Sequence, residues 1–83
     1  MEEFIYKKET FEIIGYCMEV QNTLGFGFSE IIYKDALESE FLAAELPYTR
    51  EKELQVKYKE KLLAHKFFAD YVCYDDIIIE IKG

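Results

Sequence analysis

The 83-residue sequence predicts a mixed α/β protein in α+β order, two N-terminal helices followed by a three-stranded antiparallel meander. Three observations carry that expectation. Apolar residues recur at helical spacing as far as Leu46, the stretch Gly25-Phe26-Gly27-Phe28 divides that pattern in two, and beyond Pro47 the period changes to two. A chain of this length makes one small domain, residues 1–83, near the size at which a single core is only marginally stable. Its 51% hydrophobic content, with seven Tyr and seven Phe, favours a packed domain over a disordered one.

The first helix is expected over Thr10–Leu24. Ile13, Cys17, Val20 and Leu24 form one stripe, which Phe11, Ile14 and Met18 widen. Thr10 suits the N-cap, Glu12 the first turn, and Gly25 a left-handed C-terminal closure. Gly15 costs a helix up to about 1 kcal/mol relative to alanine, which a closely packed neighbouring backbone would offset.

Ser29 is a good N-cap for a second helix running to about Leu46, where Pro47 stops it. Tyr33, Leu37, Phe41 and Ala44 form its inward stripe, with Lys34, Asp35, Glu38 and Glu45 largely outside. Glu30 extends the stripe at its N-terminal end. A carboxylate there either complements the helix dipole or points toward the sheet to join the acids described next.

The meander begins where Leu54, Val56 and Tyr58 alternate with Glu53, Gln55 and Lys57. A turn follows at Lys59–Lys61, then a second strand over about Leu62–Tyr74, broken near His65, and a third over Ile77–Lys82 after a tight connection at Asp75-Asp76. His65 lies in a polar, turn-like context and is expected to be simply exposed. The run Ile77-Ile78-Ile79 fits a strand buried on both faces. Glu80 and Lys82 then share one face while Ile79 and Ile81 share the other, so a carboxylate and an ammonium stand beside apolar packing. With Asp70 folded back beside them, this is the arrangement a metal-dependent phosphodiesterase needs, because a hard divalent ion takes oxygen ligands and its water needs a nearby proton acceptor. Register tests the idea. A two-residue loop at Asp75-Asp76 would pair Tyr71 with Glu80 and put Asp70 on the opposite face; a three-residue loop or a bulge brings Asp70 onto the Glu80 face.

The net charge of −7 opposes simple electrostatic capture of nucleic acid. Between Arg50 and Lys66, however, Arg50, Lys52, Lys57, Lys59, Lys61 and Lys66 face only Glu51, Glu53 and Glu60, a basic island of about +3. Lysines on a hairpin edge discourage strand aggregation; contact with a phosphate backbone is the other explanation. Cys17 and Cys73 are too few and too far apart for a disulfide framework or zinc site and are read as buried reduced thiols. No basic leader with an apolar core and no run long enough to span a membrane is present, so a cytoplasmic protein without a membrane partner is expected.

The segment Gly27-Phe-Ser-Glu30-Ile-Ile-Tyr33 resembles the signature of the bacterial and archaeal GxxExxY proteins, and FFADYVCYDDIIIEIKG resembles their strand pair ending in glutamate-x-lysine. That family is placed in the PD-(D/E)XK nuclease superfamily, and the resemblance runs from about Phe11 to Gly83. It implies the front part of a restriction-endonuclease-like core acting on DNA or RNA. In that core Asp70 and Glu80 hold Mg²⁺ or Mn²⁺, the backbone carbonyl of Ile81 is a further ligand, Glu30 assists through the helix, and Lys82 orients the attacking water or stabilises charge at phosphorus. Ala69 stands where the superfamily name has proline. Against the family pattern the chain stops just after the lysine, which implies a domain lacking the usual C-terminal helix and strand, and a homo-oligomer or association with another chain through the uncovered sheet. The competing expectation is a non-catalytic acidic interaction module or degenerate nuclease fragment, in which Glu80 and Lys82 form a surface ion pair worth at most about 1 kcal/mol.

Overall fold

A computed structural model describes residues 7–82. The element order is α1 (Lys7–Leu24), α2 (Glu30–Ala44), β1 (Tyr48–Leu54), β2 (Lys57–Tyr58), β3 (Lys61–Leu62), β4 (Phe67–Cys73) and β5 (Ile77–Ile79). Two helices followed by antiparallel strands match the expected class. The chain divides into two compact units, one holding both helices together with Ile81 and Lys82, the other comprising Pro47–Glu80.

In the helical unit α1 is already helical at Lys7, so Thr10 lies inside the helix rather than capping it. Ile13 and Val20 are buried, with Cys17 and Leu24 half-buried on the same stripe, whereas Phe11, Ile14 and Met18 are exposed. Cys17 is thus only partly covered; burial nevertheless pushes its thiol up from the ordinary value. Gly15 has open space around it, since an added Cβ would meet nothing within 4 Å, and the expected close backbone approach is absent among the described residues.

The α2 helix starts after Ser29, whose backbone is extended but whose side chain makes no capping hydrogen bond. It ends two residues earlier than Leu46. Glu45 turns left-handed at φ 55°, its N–H donates to Leu42 O at 3.1 Å, and the Leu46 N–H donates to Phe41 O at 3.0 Å. These two bonds form a Schellman closure, with buried Leu46 and Phe41 as its apolar pair. Helix termination thus precedes the proline, because the left-handed residue rather than the missing N–H of Pro47 ends the ladder.

In the strand unit one sheet has the order β1-β4-β5, antiparallel throughout, and β2 pairs only with β3. The alternating burial of β1 follows the period of two. The two long strands are each interrupted. Two residues, Gln55 and Val56, separate Leu54 from Lys57, whereas four, Leu63–Lys66, separate Leu62 from Phe67, and the Leu63 N–H donates to Val56 O at 2.9 Å across the mismatch. Unequal strand lengths break the ribbon and set the β2–β3 hairpin off from the larger sheet. The break near His65, which is exposed, falls where expected.

The strand buried on both faces is β4, not β5. Tyr71, Val72 and Cys73 are consecutive buried residues, while Ile78 of β5 is exposed. The cause is position: β4 has neighbours on both sides, and β5 pairs on one side only among the described residues. On β4 one face, Ala69, Tyr71 and Cys73, is fully buried. Tyr48 packs edge-to-face on Tyr71 with centroids 5.8 Å apart, and the Arg50 guanidinium lies 5.8 Å from the Tyr71 ring centre.

Candidate functional site

The turn between β4 and β5 decides what the other face of β4 can do. Cys73 pairs with Ile77, so the connection is the three residues Tyr74, Asp75 and Asp76, two of them left-handed at φ 54° and 64°. The Asp76 N–H closes it by donating to Cys73 O at 3.1 Å. Aspartate tolerates that conformation better than most residues, which suits Asp75; the left-handed Tyr74 beside it has no such advantage. An odd loop shifts the register by one. Tyr71 faces Ile79, and continuing one step sets Asp70 opposite Glu80 on the same face.

The side chain of Glu80 lies over that pair. Its Oε2 accepts the backbone N–H of Asp70 at 3.1 Å. β5 ends at Ile79 instead of reaching Lys82. Glu80, Ile81 and Lys82 follow the strand rather than forming part of it. Asp70 is half-buried on the central strand and Glu80 is exposed. The neighbouring strand is distorted at the same level: Arg50 pairs with Tyr71 and Lys52 with Ala69, and Glu51 between them adopts φ 55°. A left-handed glutamate inside a strand costs about 1–2 kcal/mol.

Of the residues singled out in the sequence, Asp70 and Glu80 are brought together. Glu30, Ile81 and Lys82 belong to the helical unit. Glu30 is exposed in the first turn of α2, where its charge complements the helix N-terminus. Ile81 is half-buried and Lys82 exposed. Sequence reasoning misplaces Lys34, which is 9% exposed and not without a partner. Its position is legible in the spacing, since Lys34, Leu37 and Phe41 stand at i, i+3 and i+7 and form the buried row of α2; its charge argues for the outer face instead.

The motif around Glu30 has a structural explanation for its other two members. Gly25 and Gly27 carry the chain through φ 73° and 104°, a region open to glycine. The Tyr33 hydroxyl then donates to Gly25 O at 2.6 Å and accepts the Phe28 N–H at 3.4 Å, while the Phe28 ring meets the Tyr33 ring edge-on at 6.2 Å. The tyrosine therefore pins the inter-helix connection, and the helix it pins begins with Glu30.

The donor chemistry fits a hard divalent cation. Asp70 and Glu80 both carry carboxylates, Glu80 reaching the Asp70 backbone N–H, and Mg²⁺ is commonly held by one or two carboxylates with the remaining positions left to water and phosphate. Among the described residues no three His, Cys, Asp or Glu side chains form a metal-holding group.

Two helices followed by antiparallel strands make a mixed α/β protein consistent with a nuclease-like core. A sequence profile of the PD-(D/E)XK nuclease superfamily matches residues 7–83, and the chain belongs to that superfamily. Nucleases of this superfamily generally use divalent metal ions. No curated protein and no solved structure matches the chain. No helix among the described residues is long and apolar enough to cross a membrane.

Proposed function

We propose that the chain is a divalent-metal-dependent nuclease that hydrolyses phosphodiester bonds of DNA or RNA. The observation that carries this reading is the three-residue β4–β5 turn, which sets Asp70 opposite Glu80 in a sheet that a two-residue turn would have paired out of phase. Asp70 and Glu80, with the backbone carbonyl of Ile81, would hold Mg²⁺ or Mn²⁺. When bound, that ion neutralises phosphate charge and lowers the pKa of its water. Glu80 would exchange its hydrogen bond to the Asp70 amide for metal ligation. Lys82 would orient the attacking water or balance charge at phosphorus, and Glu30 would assist from the first turn of α2. Nucleic acid is the proposed partner, and the cytoplasm, where the free Cys17 and Cys73 would stay reduced, is the proposed location.

The test is cleavage of labelled DNA and RNA oligonucleotides with Mg²⁺ or Mn²⁺. Asp70→Ala and Glu80→Ala should abolish both cleavage and metal binding, whereas Lys82→Ala should lower turnover with metal binding intact. Cleavage persisting in Asp70→Ala would remove the assignment.

A second reading rests on the exposed row Phe11, Ile14 and Met18, spaced i, i+3 and i+7 on α1. That row suits a non-catalytic module that docks on a second copy or another chain. Self-association would show as a sedimentation coefficient that rises with concentration; a monomer that cleaves nucleic acid would exclude this reading.

A further inference from the structure

The basic island resolves into parts with different surroundings. Arg50 and Lys52 lie on the half-buried face of β1, and Lys66 is paired with Glu53 at 2.7 Å. Lys57, Lys59 and Lys61 remain, all exposed, on the β2–β3 hairpin with Glu60 as its single acid. The register places Tyr58 opposite Lys61, so the phenol and that ammonium share a face. The Lys59 ammonium lies 5.5 Å from the Tyr58 ring centre, yet the tyrosine stays 61% exposed. Lys59 also stands at φ 56° in a two-residue turn, where glycine or asparagine would be easier to accommodate. Edge protection does not account for these lysines, because strands of two residues offer almost nothing for another chain to pair with.

We propose that the β2–β3 hairpin grips a single nucleic-acid strand, its phosphates on Lys57, Lys59 and Lys61 and an unpaired base stacked on Tyr58. Cations around a phosphate backbone supply affinity without sequence preference, and an exposed ring between two of them gives a base a platform it can reach only when unstacked. The hairpin is continuous through β3 with β4, which carries Asp70. The eight residue steps from Leu62 to Asp70 span at most about 27 Å, so the arm would hold the strand a short way from the carboxylates. The proposal rests on the nucleic-acid partner put forward above and adds the strandedness of the substrate.

Fluorescence anisotropy tests it with labelled oligothymidylate and with a duplex, in excess chelator so that no cleavage occurs. The variant Lys57→Ala/Lys59→Gly/Lys61→Ala should bind the single strand at least about tenfold more weakly, with the slope of log K against log salt flattened by about 2. Tyr58→Ala should lose about tenfold on the single strand only, and Tyr58→Phe should retain binding. Glycine relieves the left-handed turn, so Lys59→Gly alone separates lost charge from lost folding: weaker binding by a protein at least as stable supports the arm. Wild-type protein that binds no oligonucleotide, or hairpin variants within twofold of wild type, would overturn it. If the hairpin variants weaken binding while wild type never cleaves in Mg²⁺ or Mn²⁺, the arm stands and the catalytic reading falls; cleavage unaffected by the hairpin variants would remove the arm and leave the catalytic reading in place.

Discussion

The Tyr33 hydroxyl bonds two backbone groups of the connection it closes, Gly25 O and the Phe28 N–H. Tyr33→Phe keeps the edge-on contact with Phe28 and removes only those bonds, so urea unfolding should show a loss of about 1 kcal/mol. An unchanged midpoint would mean that water satisfies the loop equally well. The residue scale is also where the sequence is most deceptive. Periodicity places Ile13, Val20, Leu37 and Phe41 correctly in the core, but Lys34 occupies the same row as Leu37 and its charge argues for exposure. Long side chains can bury their stems and still find a partner for the head, which residue type alone does not reveal. Cys17, half-buried with its thiol pushed up, is expected to be a poor nucleophile at neutral pH.

At the scale of elements, helices are legible in the sequence to within a few residues and strands are not. The α1 stripe, the Ser29 start of α2 and the break near His65 follow from spacing and composition, whereas the split between Leu54 and Lys57 comes from unequal residue counts between two pairings that only the folded register reveals. Within α1, Gly15 lies in mid-helix with open space around it. Gly15→Ala should therefore stabilise the protein by about 0.5–1 kcal/mol in denaturant unfolding. A destabilised variant would show that α1 is approached closely at that point. The three-residue β4–β5 turn is legible as a requirement, since only an odd loop or a bulge brings Asp70 and Glu80 to one face, and the register meets it.

At the scale of the whole molecule, membership of the superfamily agrees with two helices leading into an antiparallel sheet. An acidic chain of net charge −7 is poorly suited to hold a polyanion by itself. On the proposed reading the carboxylates become useful once a cation is bound between them and phosphate, and the basic hairpin would supply affinity elsewhere on the strand unit. Both features depend on the strand unit, Pro47–Glu80, and neither requires the exposed row of α1. The measurement that bears most directly on the central claim is Mn²⁺ titration by calorimetry on the wild-type chain and on Asp70→Ala. Binding to the wild type that vanishes in a folded Asp70→Ala is the predicted result; no binding to the folded wild type, or equal binding by both, would contradict a metal site at Asp70 and Glu80.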